Sequence, residues 1–214
     1  MILLRHCIDV KYVTELHIHH TYNTSKIKQG LIFALYSPGR ELPQKELEAS
    51  LTTDLVNFDF ITLPPADSIA NIAKESTNGY NYAIEHGYEF VARIDDDDLL
   101  VPGALTHLAK VLKHHTMLSG VCGKQLRFRG AAPDCILQPV YSLFHDPHYH
   151  RFHGVTLYRT SAVPPALDNW QDVANCDPHR KMVKIMLELG HTLGYIDSYM
   201  SYFRLKKTDL SGYA

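Results

Sequence analysis

Three things are scarce in this chain of 214 residues: long apolar runs, paired cysteines and an excess of charge of one sign. No stretch approaches the roughly 20 consecutive apolar residues that cross a bilayer, so any contact with a membrane is expected to be peripheral. The opening run Ile2-Leu3-Leu4 is too short for a secretory leader, and a cytoplasmic location is expected, with the inner membrane face as the place for any such contact. Cys7, Cys122, Cys135 and Cys176 are scattered and form no C-x-x-C pair, which reads as reduced thiols rather than a disulfide framework. Lys plus Arg number 21 against 23 Asp plus Glu, and a formal net charge of -2 argues against nucleic acid as the main partner. Repeats, low-complexity tracts and linkers are also missing. With 45% hydrophobic and 21% charged residues, positions 1–214 are expected to form one globular domain.

What is present is a run of four aspartates, Asp95 to Asp98, at the end of the apolar segment 88–94 and ahead of Leu99-Leu100-Val101-Pro102-Gly103. Like charges packed at the tip of a buried strand cannot all stay ionised unpaired, so a cation is expected there. Oxygen-only ligands suit Mg2+ or Mn2+ rather than zinc, and such an ion shares its sphere with waters and substrate phosphates. The structural alternative is an acidic turn in which one aspartate caps the following helix and the others face water. Position at a strand's carboxyl end, where open α/β sheets bind ligands, favours function.

Apolar runs bounded by turn residues predict strands at 2–10, 31–36, 58–63 and 89–94, with helices over 41–56, 68–86 and 102–115. Ile69, Ile72, Ala73, Tyr80 and Ala83 form the inward face of the second helix, and Gly87 ends it. Leu105, Leu108, Ala109, Val111 and Leu112 do the same for the third. This alternation implies a mostly parallel α/β sheet. Beyond Ser119 the pattern shifts to strands at 121–128, 154–158 and 193–197, with one helix over 178–189 closed by Gly190.

The segment from Asn78-Gly79-Tyr80 through Arg93-Ile94-Asp95-Asp96-Asp97-Asp98 to Val101-Pro102-Gly103-Ala104-Leu105 resembles nucleotide-sugar-dependent glycosyltransferases of the GT-A fold. It is similar, more narrowly, to the inverting family 2 and to bacterial rhamnosyltransferases. The likeness covers about residues 30–205 and is strongest over 78–105. It implies a Rossmann-like, mostly parallel central sheet flanked by helices, with residues 1–118 binding the nucleotide sugar and a smaller mixed portion, 119–214, on the acceptor side. Family members carry Asp-Asp-Gly-Ser after the second strand. This chain has Leu35-Tyr36-Ser37-Pro38-Gly39-Arg40, so base recognition is not assigned.

The resemblance implies transfer of a sugar from a nucleotide-diphosphate donor to a glycan or lipid-linked acceptor, with inversion, in bacterial surface-polysaccharide synthesis. Asp95 and Asp97 would form the D-x-D pair that holds Mn2+ or Mg2+, which stabilises the departing diphosphate. Asp98 would position donor or acceptor, and Asn78 would belong to the donor side; Arg93 is expected to pair with one aspartate or with phosphate, and Arg204, in the family-like Tyr202-Phe203-Arg204, to neutralise the diphosphate or to form part of a solvated basic end. Asp96, pointing the other way from its neighbours, is expected to be dispensable. The acceptor hydroxyl needs a carboxylate base, and Cys176-Asp177-Pro178-His179 makes Asp177 the first choice, ahead of Asp172 and then Asp168. Asp177 equally reads as the cap of the helix at Pro178.

Other features have two readings each. The histidines at 17–20, 114–115 and 145–153 are either metal ligands or His-rich surface loops. Trp170 stacks on a sugar or packs in the core, and Lys206-Lys207 meet phosphate or water. Two other functions are weighed. A nucleotidyltransferase needs a Gly-rich basic loop after the first strand, and none follows residues 2–10. A non-catalytic GT-A-like binding protein stays open because the usual Glu-Asp base motif is absent.

Overall fold

A computed structural model describes residues 28–37, 39–64, 69–128, 136–139, 155–164 and 178–204. The strand expected at 2–10, two of the three histidine clusters, Trp170, Lys206, Lys207 and the base candidates Asp168, Asp172 and Asp177 lie outside them.

The described elements are β1 (Gly30–Leu35), α1 (Glu41–Ser50), β2 (Phe58–Leu63), α2 (Ile69–Glu85), β3 (Phe90–Asp95), β4 (Leu99–Leu100), α3 (Ala104–His114), β5 (Leu118–Phe128), β6 (Ile136–Pro139), β7 (Thr156–Arg159), α4 (Pro178–Glu188) and β8 (Thr192–Arg204). They build one eight-stranded sheet of order β2-β1-β3-β7-β5-β8-β4, with β6 paired to β5. The first half is parallel, β1 lying between β2 and β3. The second half is mixed: β7 is antiparallel to β3 and β5, β8 is parallel to β5, and β4 is antiparallel to β8. Among the described residues no helix is long and apolar enough to cross a membrane.

Continuous apolar runs become central strands because both faces are covered. Every residue of β1 is buried, and so are the first five of β3. Ile32, Ala34, Ala92 and Ile94 face α1 and α3, packing on Leu47, Leu51, Leu105, Leu108 and Leu112. Leu31, Phe33, Leu35 and Val91 face α2 and α4, with Ala73, Tyr80, Ala83, Met182, Ile185 and Met186. Gly79 lets α2 sit close to β1, since a Cβ there would lie 2.6 Å from the Phe33 ring, which also meets Tyr80 edge-on at 5.0 Å.

The helix expected over 41–56 stops at Ser50. Ser50 Oγ donates to the Leu47 carbonyl and Thr52 Oγ1 to that of Ala49, local bonds that compete with helix continuation. A short 3-10 turn, Asp54–Val56, follows. It delivers buried Asp54 to the start of α3, where Oδ1 accepts the Thr106 N–H at 2.8 Å and serves as a cap from a distant segment. Pro102 and Gly103 precede that helix rather than open it, Gly103 adopting φ +79°. The last strand runs to Arg204, well past the expected 197, because register shifts opposite Gly123, Lys124 and Gln125 break its alternation.

Gly79→Ala should lower stability by about 1–3 kcal/mol through overpacking against Phe33, read as a lower urea midpoint with an unchanged m-value. Burial raises the Asp54 pKa, against the pull of the α3 N–H groups. A carboxyl whose folded pKa is raised loses stability as pH climbs from its unfolded value of about 3.9 through the folded one. The difference in unfolding free energy between wild type and Asp54→Asn should therefore move in favour of Asn between acid and neutral pH, measured by urea denaturation at each pH.

Candidate active site

β1 and β3 are parallel, so the loop after β1 and the aspartate turn after β3 leave the sheet at the same, carboxyl end. The two are tied together. Buried Asp96 accepts the Ser37 N–H on Oδ2 at 2.6 Å and Arg40 Nη1 on Oδ1 at 2.6 Å. The loop is braced in turn by α1: Gln44 donates to the Ser37 carbonyl at 3.0 Å and Tyr36 OH to Glu48 at 2.6 Å. Asp96, expected to be dispensable, is a fastening between the two loops. Alternation does not apply to it because β3 ends at Asp95, and Asp96 is a turn residue free of the pleat.

Asp95 is the exposed member of the run. Its Oδ1 meets Arg93 Nη2 at 2.7 Å, the two lying on the α2 face of β3, and its side chain is 37% exposed against 7% for Arg93. Asp97 Oδ2 lies 3.0 Å from the same Arg40 Nη1 that holds Asp96. Asp98 is buried and accepts the Arg204 N–H at 3.1 Å. Burial first, then the like charges of Asp95 and Asp97, push the Asp98 pKa well above the ordinary carboxylate range, while Arg204 pulls it down. Burial works against the Arg40 charge, and Asp97 and Asp96 outweigh it, so that its pKa is raised.

Arg204 closes the other side. Its Nε donates to the Asp97 carbonyl at 2.9 Å, its Nη2 pairs with Glu46 of α1, and the guanidinium stands 4.5 Å from the Phe128 ring centre. The group expected to meet phosphate thus clamps the aspartate turn to α1. Asn78 lies on the exposed side of α2 and donates to Glu75 at 2.9 Å, so the structure does not bring it to the aspartates. Arg40 and Glu46 were missed by the sequence reading. Both act through ion pairs between distant segments that leave no local signal; the Arg204–Glu46 separation is 158 and the Arg40–Asp96 separation 56.

Among the described residues no group of three or more His, Cys, Asp or Glu side chains is arranged as a complete metal cage. The residues nevertheless fit a hard cation that keeps waters and ligand oxygens in its sphere. Asp95 and Asp97 would supply the carboxylates, one beside Arg93 and the other beside Arg40.

No protein-family profile and no curated protein sequence matches this chain. Solved structures do. S. aureus TarS 1–349 in complex with UDP-GlcNAc superposes with a TM-score of 0.54 at 16% identity, over 88% of this chain and 61% of that one. The fold is GT-A-like. TarS 1–349 alone gives 0.54 at 15% identity over 83% and 60% of the two chains, and its complex with UDP gives 0.50 at 16% over 86% and 62%. This chain therefore spans about three fifths of the TarS chains it matches, and at such identity the likeness is one of fold.

Asp96→Ala should remove about 2–3 kcal/mol of stability, because it strands the Ser37 N–H and one side of Arg40. Chemical denaturation would show it; a midpoint equal to wild type would mean that the loops hold without Asp96.

Proposed function

We propose that this protein is a glycosyltransferase that takes a sugar from a nucleotide-diphosphate donor and transfers it, with inversion, to a hydroxyl of a glycan or lipid-linked acceptor. The observation that carries the reading is the aspartate turn at the carboxyl end of β3, braced against the loop after β1, in a fold shared with a protein whose structures hold UDP-GlcNAc and UDP. The narrower likeness to family 2 and bacterial rhamnosyltransferases, a role in surface polysaccharide and a place at the inner membrane face belong to the same proposal.

Asp95 and Asp97 would hold Mn2+ or Mg2+, which supplies Lewis-acid stabilisation of the departing diphosphate. Arg93 fixes Asp95 through Nη2, while Arg204 holds the Asp97 carbonyl through Nε and the Asp98 carboxylate through its backbone N–H, so the turn is set in place before a donor arrives. Asp98, buried beside Asp97 and held by the Arg204 N–H, would help position donor or acceptor. Deprotonation of the acceptor hydroxyl falls to a carboxylate of the 168–177 segment, with Asp177 first and Asp172 second.

The test is a thermal-shift panel of UDP, GDP, CDP and dTDP, each with Mn2+ and with EDTA. A ligand that binds only the folded state at about 100 times its Kd adds about 2.7 kcal/mol of stability, a rise of several degrees. One diphosphate should give that rise with Mn2+, lose it with EDTA, and lose it in Asp97→Ala. A flat panel would leave a non-catalytic protein as the better reading, unless the corresponding triphosphates, run beside the diphosphates, gave a rise of their own, which would favour a nucleotidyltransferase.

A further inference from the structure

Arg40 holds a position that a cation would take. One nitrogen, Nη1, lies 2.6 Å from Asp96 Oδ1 and 3.0 Å from Asp97 Oδ2, so a single positive centre bridges carboxylates of consecutive residues. The side chain is 31% exposed, whereas the backbone beneath it is fixed. Arg40 stands at the N-cap of α1 with its carbonyl accepting the Gln44 N–H at 3.0 Å, and Ser37 ahead of it is bound at both its N–H and its carbonyl. The guanidinium can therefore leave Asp97 without the loop coming away from Asp96, which keeps its bond from Ser37.

A second observation points to an anionic ligand at this turn. Arg93 is 93% buried, its Nη2 holds Asp95, and its Nε and Nη1 have no hydrogen-bond partner among the described residues. Buried guanidinium donors left over beside Asp95 call for an acceptor that the described residues do not supply.

We propose that Arg40 is a donor-phosphate residue held in reserve, neutralising Asp96 and Asp97 until it yields Asp97 to a divalent cation and turns to the diphosphate. This rests on the transferase reading above. Two cations a few ångströms apart on one carboxylate repel, so occupancy of Asp97 by the ion favours departure of the guanidinium. Once released it meets phosphate oxygens in the forked geometry that suits arginine better than lysine. Cation and diphosphate binding are thereby coupled: each should tighten the other.

The experiment measures Mn2+ binding alone by electron paramagnetic resonance of the free ion, then UDP, GDP, CDP and dTDP binding at saturating Mn2+, for wild type, Arg40→Met and Arg40→Lys. Without its competitor, Arg40→Met should bind Mn2+ about tenfold tighter and the favoured diphosphate about tenfold more weakly, each step being about 1.4 kcal/mol. Arg40→Lys should resemble wild type for Mn2+ and fall between the two for the diphosphate. A merely structural role moves both affinities the same way, so Mn2+ binding that weakens or stays level in Arg40→Met overturns the proposal. So does a wild-type protein that binds no Mn2+. If Arg40→Met does not fold, wild type and Arg40→Lys decide: the wild-type Mn2+ affinity must rise on adding the diphosphate, and rise less in Arg40→Lys. Tighter Mn2+ in Arg40→Met with no diphosphate bound by any form overturns the phosphate role and the transferase reading together, while upholding the exchange at Asp97.

Discussion

The carboxyl ends of two parallel strands are brought to one place in this chain, and what holds the loops beyond them together is the pair of contacts made by Asp96. β1 and β3 are adjacent, but adjacency fixes only the strands; the loops beyond them are free to diverge. Asp96 takes the Ser37 N–H on one oxygen and Arg40 on the other, and so converts strand pairing into loop pairing. Tyr36, Gln44 and Glu48 then bind the loop to α1, while Arg204 and Glu46 bind the aspartate turn to the same helix from the opposite side. α1 is thus a common post for both halves of the site.

An acid-rich turn at a strand end suggests a site hungry for positive charge, and this one has much of its hunger met from within. Arg40 bridges Asp96 and Asp97, Arg93 lies against Asp95, and Arg204 reaches the Asp97 carbonyl and Asp98. The remaining acid strength is concentrated on two groups with different environments. Asp95 is partly open to water and keeps an arginine partner; Asp98 is buried, and burial together with its acidic neighbours raises its pKa.

Much of the framework was legible because it is written in local pattern. The run Phe58 to Leu63 is a strand with the expected bounds, α2 and β3 fall within a residue or so of theirs, and Ala73, Tyr80, Ala83, Leu105 and Leu108 are buried as expected. β4 and β6 were not foreseen: one has two residues and the other ends on Pro139, too little for any period. β8 was truncated because its shifted register scrambles inward and outward positions. The site was legible as to which residues carry charge and illegible as to which partner each takes. Arg40, Glu46 and Arg204 pair through the fold, and the roles of Asp96 and Arg204 changed once those partners were in view.

The reach of Arg204 also sets an order of events. Its backbone N–H binds an aspartate 106 positions earlier and its side chain a glutamate 158 positions earlier. Contacts of such sequence separation form late, since the loop they close must first be confined. While the chain is being made, β1, β2, β3 and α1 can come together with their parallel pairing complete, yet the acid turn stays unclamped until β8 has emerged and docked along β5. Assembly of the sheet thus runs ahead of assembly of the charge network, and an incomplete chain would carry an open cluster of carboxylates without its last guanidinium.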